Sequence, residues 1–176
     1  MFGDDDSPET RLRKQFWKEL ADDRTVMLGL EGVDDDRTRP MTAQVDEPAD
    51  DGSGPIYFFA SKGEGVGQSV LDSGGGHRAV ATFASKGHDL FAHIHGTLSP
   101  SNDRGVIDRL WNPIVASWYK DGKDDFNLLL LRLDAERADV WEASSAATLK
   151  AAALKMMFNV DPGKEQQREH QAEVQL

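Results

Sequence analysis

The sequence predicts a mainly β protein, a small antiparallel β-barrel with peripheral α-helices. Three observations carry this reading. Six to seven short segments are rich in β-formers or alternate apolar with polar residues. The helical patterns are appended at the ends or inserted between strands. The 176 residues show no internal repeat and no linker with a core on both sides, so one domain is expected.

Residues 1–6 are acidic and expected to be disordered. Ser7-Pro8-Glu9 is a helix start, with Ser as N-cap, Pro at the first position and Glu in the first turn. Leu12, Phe16 and Leu20 then recur every four residues, and Trp17 stands beside that stripe, so an amphipathic helix runs to about Asp22. "RTVMLGLEG" (24–32), the turn "VDDDRT" and the strand-like 38–45 form a β-hairpin pattern. "DEPADDGSGP" (46–55) is a polar loop, and "IYFFA" (56–60) reads as a central strand.

The glycine-rich stretch 61–76 is a poor helix former, with a short helix allowed over 66–72. "RAVATFAS" (78–85) and "DLFAHIHGTLS" (89–99) are strands joined at Lys86-Gly87-His88. Residues 101–119 are helical, broken or restarted at Pro113. "FNLLLLRLD" and "ADVWEA" are the last strands, and the alanine-rich 144–158 is strongly helical. The expected organisation is a disordered 1–6, a domain over 7–162 and a polar flexible tail over 163–176.

Composition narrows the functional classes. The chain has no cysteine, which excludes disulfides and thiolate chemistry. The first residues carry no basic and apolar leader, and the longest apolar run is "LLLL" at 128–131, so a cytoplasmic protein outside the membrane is expected. A net charge of −11 repels nucleic acid and anionic membrane, and neither is expected as a partner. Any anionic ligand must be held by a local cluster of cations, against the field of the whole molecule.

The motifs are individually weak. "GEGVG" (63–67) and "GGG" (74–76) match neither a dinucleotide-binding loop nor a P-loop. Ser61 and Lys62 nevertheless end a strand just before these glycines, where a hydroxyl, an ammonium and open backbone amides would suit a phosphate. The alternative is a solvated lysine beside a flexible turn. His93 and His95 share a strand face, yet no third ligand stands nearby in the pattern, and no metal is expected. There is no nucleophile elbow, and the carboxylates sit mainly in turns. Trp17, Trp111 and Trp118 fall in helical patterns, as core or interface residues.

"RTRPMTAQV" (37–45) is the most unusual stretch. Proline brings no N–H to a strand ladder, so Pro40 opens a gap in pairing and holds Arg39 extended. Arg39 is a planar, permanent cation suited to phosphate. Pairing of 38–45 with 56–60 would bring it near Ser61 and Lys62. On residue chemistry alone, a phosphorylated-ligand site and a bulged edge strand with a surface arginine stand level.

The succession "TRPMTAQV", "IYFFASK", "SKGHDLFAHIHG" and "LWNPIVASWYKDGKDD" resembles the pyridoxamine phosphate oxidase-like superfamily, in its bacterial general stress protein branch, from about Phe16 to Pro162. The resemblance implies an antiparallel FMN-binding split barrel, a homodimer with flavin at the subunit interface, and FMN as cofactor, with FAD as the alternative. It implies that Arg39 and Lys62 hold the flavin phosphate and that Pro40, Met41 and Thr42 lie along the ring and ribityl chain. Phe59, Ala60 and Ser61 would line the other side, Lys86 and His88 would approach the flavin, and Trp111 would cover the ring from the partner chain. No catalytic residue is assigned; His88 is the nearest acid–base candidate. Two departures stand out. No second basic residue follows Lys62 until Arg78, and the C-terminal "VDPGKEQQREHQAEVQL" lacks the pattern that would hold pyridoxine phosphate. The implied function is therefore a flavin-binding general stress protein with redox activity, and not pyridoxine phosphate oxidation. A flavin carrier or sensor without turnover and a flavin-free relative binding another anion are the alternatives.

Overall fold

The computed structural model describes residues 7–46, 53–143 and 171–176. The order is α1 (Pro8–Asp23), β1 (Thr25–Leu30), β2 (Arg39–Thr42), β3 (Gln44–Val45), β4 (Ile56–Ser61), α2 (Gly65–Asp72), β5 (His77–Ala84), β6 (Leu90–Ser101), α3 (Arg104–Leu110), α4 (Pro113–Ala116), β7 (Leu128–Glu142) and β8 (Gln171–Gln175). The strands form one antiparallel sheet in the order β2-β1-β5-β6-β7-β4-β3, with β8 also on β7. It is the predicted barrel with peripheral helices, in its split form.

The closure explains the faulty strand. β2 and β3 stand at opposite ends of the sheet order, yet only Ala43 separates them in the chain. Residues 39–42 pair with β1, from Leu28↔Arg39 to Thr25↔Thr42. Gln44 and Val45 pair with Tyr57 and Ile56 of β4 instead. Ala43 is fully buried at the crossing, and its N–H donates to the Arg24 carbonyl at 2.7 Å. Both expected pairings of 38–45 are thus formed, each by half of the segment. Because β2 has a strand on one side only, Pro40 lies where the missing N–H breaks no second ladder.

The barrel interior is filled by alternating side chains: Ala79, Ala81 and Phe83 of β5, Leu90, Ala92, Ile94 and Leu98 of β6, and Leu129, Leu131 and Leu133 of β7. Helix α1 adds Leu12, Phe16, Trp17 and Leu20. Ser7 caps it, accepting from Thr10 N, as its sequence predicts. A second apolar cluster lies on the opposite face of β4 and β7, where α3, α4 and Tyr119 cover Tyr57, Leu128 and Leu130. Burial on both faces explains the unbroken "LLLL" run.

Some boundaries differ from expectation. The last two predicted strands are one, β7, which pairs with β6 from Leu130 to Glu142 through an irregularity between His95 and Gly96. Residues 171–175, expected in a flexible tail, form β8, and Val174 is fully buried. The alternation there is too short and polar to read as a strand, and pairing with β7 supplies what the side chains do not. The predicted acidic start over 1–6, most of the 46–55 loop and the helix over 144–158 lie outside the described residues. No helix among the described residues is long and apolar enough to cross a membrane.

Candidate functional site

The split between β2 and β4 holds a cavity of about 580 Å³, within the usual range for small-molecule sites. One wall is the unpaired side of β2, with Arg39, Pro40, Met41 and Thr42. The facing wall is the end of β4, with Phe59, Ala60 and Ser61. Helix α2 closes one end through Glu64 to Gly67, and the α4 segment forms a rim with Ile114, Val115 and Trp118. Seven of the eleven residues singled out from sequence therefore meet in one place.

Arg39 stands beside the start of α2. A Cβ on Gly65 would lie 3.5 Å from the Arg39 Nη1. The N-cap residue of α2, Glu64, makes no side-chain capping bond. The first N–H groups of the helix thus stay open, next to a guanidinium and with the dipole's positive end outward. Asp34 holds Arg39 on its other side at 2.8 Å. Gly67 permits this arrangement, because a Cβ there would fall 2.1 Å from the Ser61 carbonyl oxygen.

The end of β4 is braced from a distant part of the chain. Tyr119 donates its hydroxyl hydrogen to the Ala60 carbonyl at 2.8 Å. Burial, with a smaller contribution from Asp125, pushes the Tyr119 phenol up to about 12, so it is a fixed neutral donor. Asn127 donates to Ser61 Oγ and accepts from Gly63 N at 3.1 Å. Its carbonyl accepts from Lys62 N at 2.9 Å.

Four singled-out residues do not line this cavity. Lys62 turns its ammonium over the Phe126 ring, 5.1 Å from the centroid. Trp111 packs behind the wall on its own chain, with ring centroids 5.8 Å from Phe59 and 6.1 Å from Tyr119. Lys86 and His88 line a separate depression with Met27 and Phe91. Their turn is built by Ser85, whose buried hydroxyl accepts from Asp89 N and Leu90 N. His88 adopts φ +56° and stacks on Phe91. His93 and His95 touch on the sheet face, and His95 Nδ1 lies 3.5 Å from Glu31. Among the described residues, no three carboxylate or imidazole groups are arranged to hold a metal ion.

Sequence reasoning missed Arg24, Gln44, Tyr119 and Asn127. Tyr119 and Asn127 reach the cavity from the segment after α4, and nothing local marks them. Arg24 carried a signal, a cation at the junction of a helix and a strand that lies beside the proline-broken one.

The chain is 52% identical to the general stress FMN/FAD binding protein from the phytopathogen Xanthomonas citri, covering 77% of this chain and 91% of that one with a TM-score of 0.69. It is 52% identical to a candidate general stress family protein from Xanthomonas campestris pv. campestris, over 77% and 89% of the two chains, with a TM-score of 0.68. A candidate general stress protein 26 from Jannaschia sp. CCS1 is 28% identical over 94% and 99%, with a TM-score of 0.75. No curated protein matches the chain. The model of the family described as "Pyridoxamine 5'-phosphate oxidase like" matches residues 12–163, and the chain belongs to that family.

Proposed function

We propose that this chain is a flavin-binding general stress protein that takes FMN in the split between β2 and β4. The observation that carries the reading is Arg39 beside the uncapped start of α2. A cation and open helix N–H groups suit a phosphate. The lining also carries the apolar Pro40, Met41, Phe59 and Val115, which suits a ring. The donor set therefore fits a phosphate-tailed planar ligand. The Xanthomonas citri relative, named for FMN/FAD binding, supports the choice of ligand. FMN is preferred to FAD in this reading because Arg39 beside the start of α2 would suit a single terminal phosphate.

Arg39 and the α2 amides would hold the phosphate, and Met41 and Phe59 would hold the ring. Bound flavin would supply hydride or electron transfer. The chain itself supplies little acid–base chemistry. The ionisable residues lining the cavity are Arg24, Arg39, Glu64 and Tyr119. Of these, Tyr119 keeps its proton to about 12 and the arginines are permanently charged. His88 lies in the other depression. Glu64 is then the one carboxylate in the lining among the described residues, and so sparse an acid–base set favours a second reading, a flavin carrier or sensor that does not turn over.

The functional unit is proposed to be a homodimer. Ile114, Trp118 and Phe126 are 75%, 81% and 89% exposed around the cavity, an apolar surface that a second copy would cover. In that dimer Lys86 and His88 would reach the flavin only from the partner copy, because within one chain they line a different depression.

The test is an absorbance spectrum after incubation with FMN and desalting, followed by NAD(P)H addition. Retained flavin bands support the cofactor reading, and a colourless protein overturns it. Steady NAD(P)H oxidation supports an enzyme, whereas bound flavin without turnover supports the carrier.

A further inference from the structure

The cavity has a second cation that the phosphate does not need. Arg24 follows α1 as its C-cap with φ +59°, a left-handed conformation that glycine adopts more readily. Arg24 lines the cavity, and its guanidinium donates to the Oε1 of Gln44, a buried lining residue, across a long 3.4 Å. Among the described residues no carboxylate pairs with it, whereas Arg39 has Asp34. In a chain of net charge −11, an arginine facing a cavity with only a neutral amide partner is poised for a ligand's negative charge.

Its position says which part of the ligand. The Arg24 carbonyl accepts from Ala43 N, at the end of β2 opposite Arg39. Arg39 pairs with Leu28, four residues along β1 from Arg24. The two backbones are therefore separated by about 13 Å at about 3.3 Å per residue. Lys62, the other cation suggested by the sequence, is turned onto Phe126 and does not line the cavity.

Resting on the flavin reading above, we propose that Arg24 binds the negative charge that the flavin ring acquires on reduction, and so raises the reduction potential of the bound cofactor. A ligand whose phosphate meets Arg39 and whose body follows β2 directs its far end, the ring, toward Arg24. Two electrons from an external donor such as a reduced nicotinamide, with one proton, would convert the oxidised ring to its reduced anion and leave the donor oxidised. The proton goes to N5, and the negative charge spreads over the N1 and C2-carbonyl edge, where a cation acts. Oxidised flavin carries no such charge, so Arg24 distinguishes the two redox states while Arg39 holds the phosphate in both.

The experiment measures FMN affinity by fluorescence quenching, and the midpoint potential by dithionite titration against a reference dye. It uses the wild type, Arg24→Gln, Arg24→Lys, Arg24→Gly and Arg39→Gln. Arg24→Gln is expected to keep oxidised FMN affinity within about twofold and to weaken reduced FMN tenfold, which lowers the potential by about 30 mV for a two-electron couple. Arg24→Lys restores most of the potential. Arg24→Gly shows the same loss while melting no lower than the wild type, because glycine suits that backbone. Arg39→Gln weakens both redox forms alike and leaves the potential near the wild-type value. Equal weakening of both forms by Arg24→Gln, or an unchanged potential, overturns the assignment of Arg24 while the cofactor reading stands. A wild type that retains no FMN overturns the cofactor reading and this inference with it.

Discussion

Tyr119 donates to the Ala60 carbonyl across 59 positions of sequence, and this 2.8 Å bond ties the segment after α4 to the cavity wall. Ala60 lines the cavity one residue before the end of β4, so the bond fixes the wall as well as the fold. Replacing Tyr119 by Phe removes this bond and is expected to cost about 1 kcal/mol at neutral pH. The pH dependence has a definite sign. Burial raises the folded phenol from 10.0 to about 12, so the neutral form is favoured in the folded state. That stabilisation is complete below pH 10 and is lost as pH rises toward about 12. Urea unfolding at pH 8 and pH 11 checks it: the gap between wild type and Tyr119→Phe shrinks at the higher pH. A gap constant with pH would contradict the burial of the phenol.

Gly67 sets two opposing effects against each other. Alanine is the better helix former by about 1 kcal/mol. Its Cβ would stand 2.1 Å from the Ser61 carbonyl oxygen, which is backbone and cannot rotate away. Overpacking of this kind costs about 1–3 kcal/mol, and a contact this close lies at the upper end. Gly67→Ala is therefore expected to be destabilising in thermal melts. Because α2 must move away from β4, the variant also loses ligand affinity. A melting temperature above the wild type would show that the helix term wins.

The Arg109–Asp46 pair clamps α3 to the chain just after β3. Arg109 Nε and Nη2 both reach the carboxylate, the shortest contact being 2.6 Å. The hydrogen bonds from Arg109 hold the Asp46 carboxyl below its ordinary 3.8, and partial burial opposes them. A depressed carboxyl stabilises the fold above its unfolded value and loses that effect as pH falls through the folded one. Asp46→Asn is therefore expected to be less stable at pH 7, with the difference closing as pH drops below 3.8. Acid unfolding of the two proteins, followed by tryptophan fluorescence, checks the sign. Salt weakens the effect because Arg109 is exposed.

What could be read from the chain was local. The Ser7 cap, the Pro113 break and the alternation of β5 and β6 each rest on neighbours a few residues apart, and each is present. The proline in "RTRPMTAQV" correctly marked a strand with a free side. The switch at Ala43 was illegible, because nothing in 38–45 states that its two halves pair with opposite ends of the sheet. Of the site, the β2 and β4 walls were legible, since each is a contiguous motif. Arg24, Tyr119 and Asn127 were not, because their roles depend on how β1 and the segment before β7 meet those walls. Lys62 shows the converse. It directly follows the β4 motif, yet its ammonium lies over Phe126, far along the chain.

That contrast ranks the two cations implied by the family resemblance. Arg39 lines the cavity beside the α2 amides, whereas Lys62 lies on an exposed aromatic face. A charged hydrogen bond to phosphate contributes about 1.5–3 kcal/mol, so Arg39→Ala is expected to weaken FMN binding roughly ten- to a hundredfold. Lys62→Ala acts only through the longer-range field and is expected to weaken binding a few-fold at low salt, fading as salt is added. Asp34 supplies an internal control. It holds Arg39 at 2.8 Å and would compete with a bound phosphate, so Asp34→Asn frees the guanidinium and is expected to tighten binding. Fluorescence titration of FMN, with riboflavin as the phosphate-free comparison, reads all three. The Arg39 and Asp34 effects should vanish with riboflavin. Should Lys62→Ala prove the more damaging change, the phosphate lies at the Phe126 side of the β4 end and not at the start of α2.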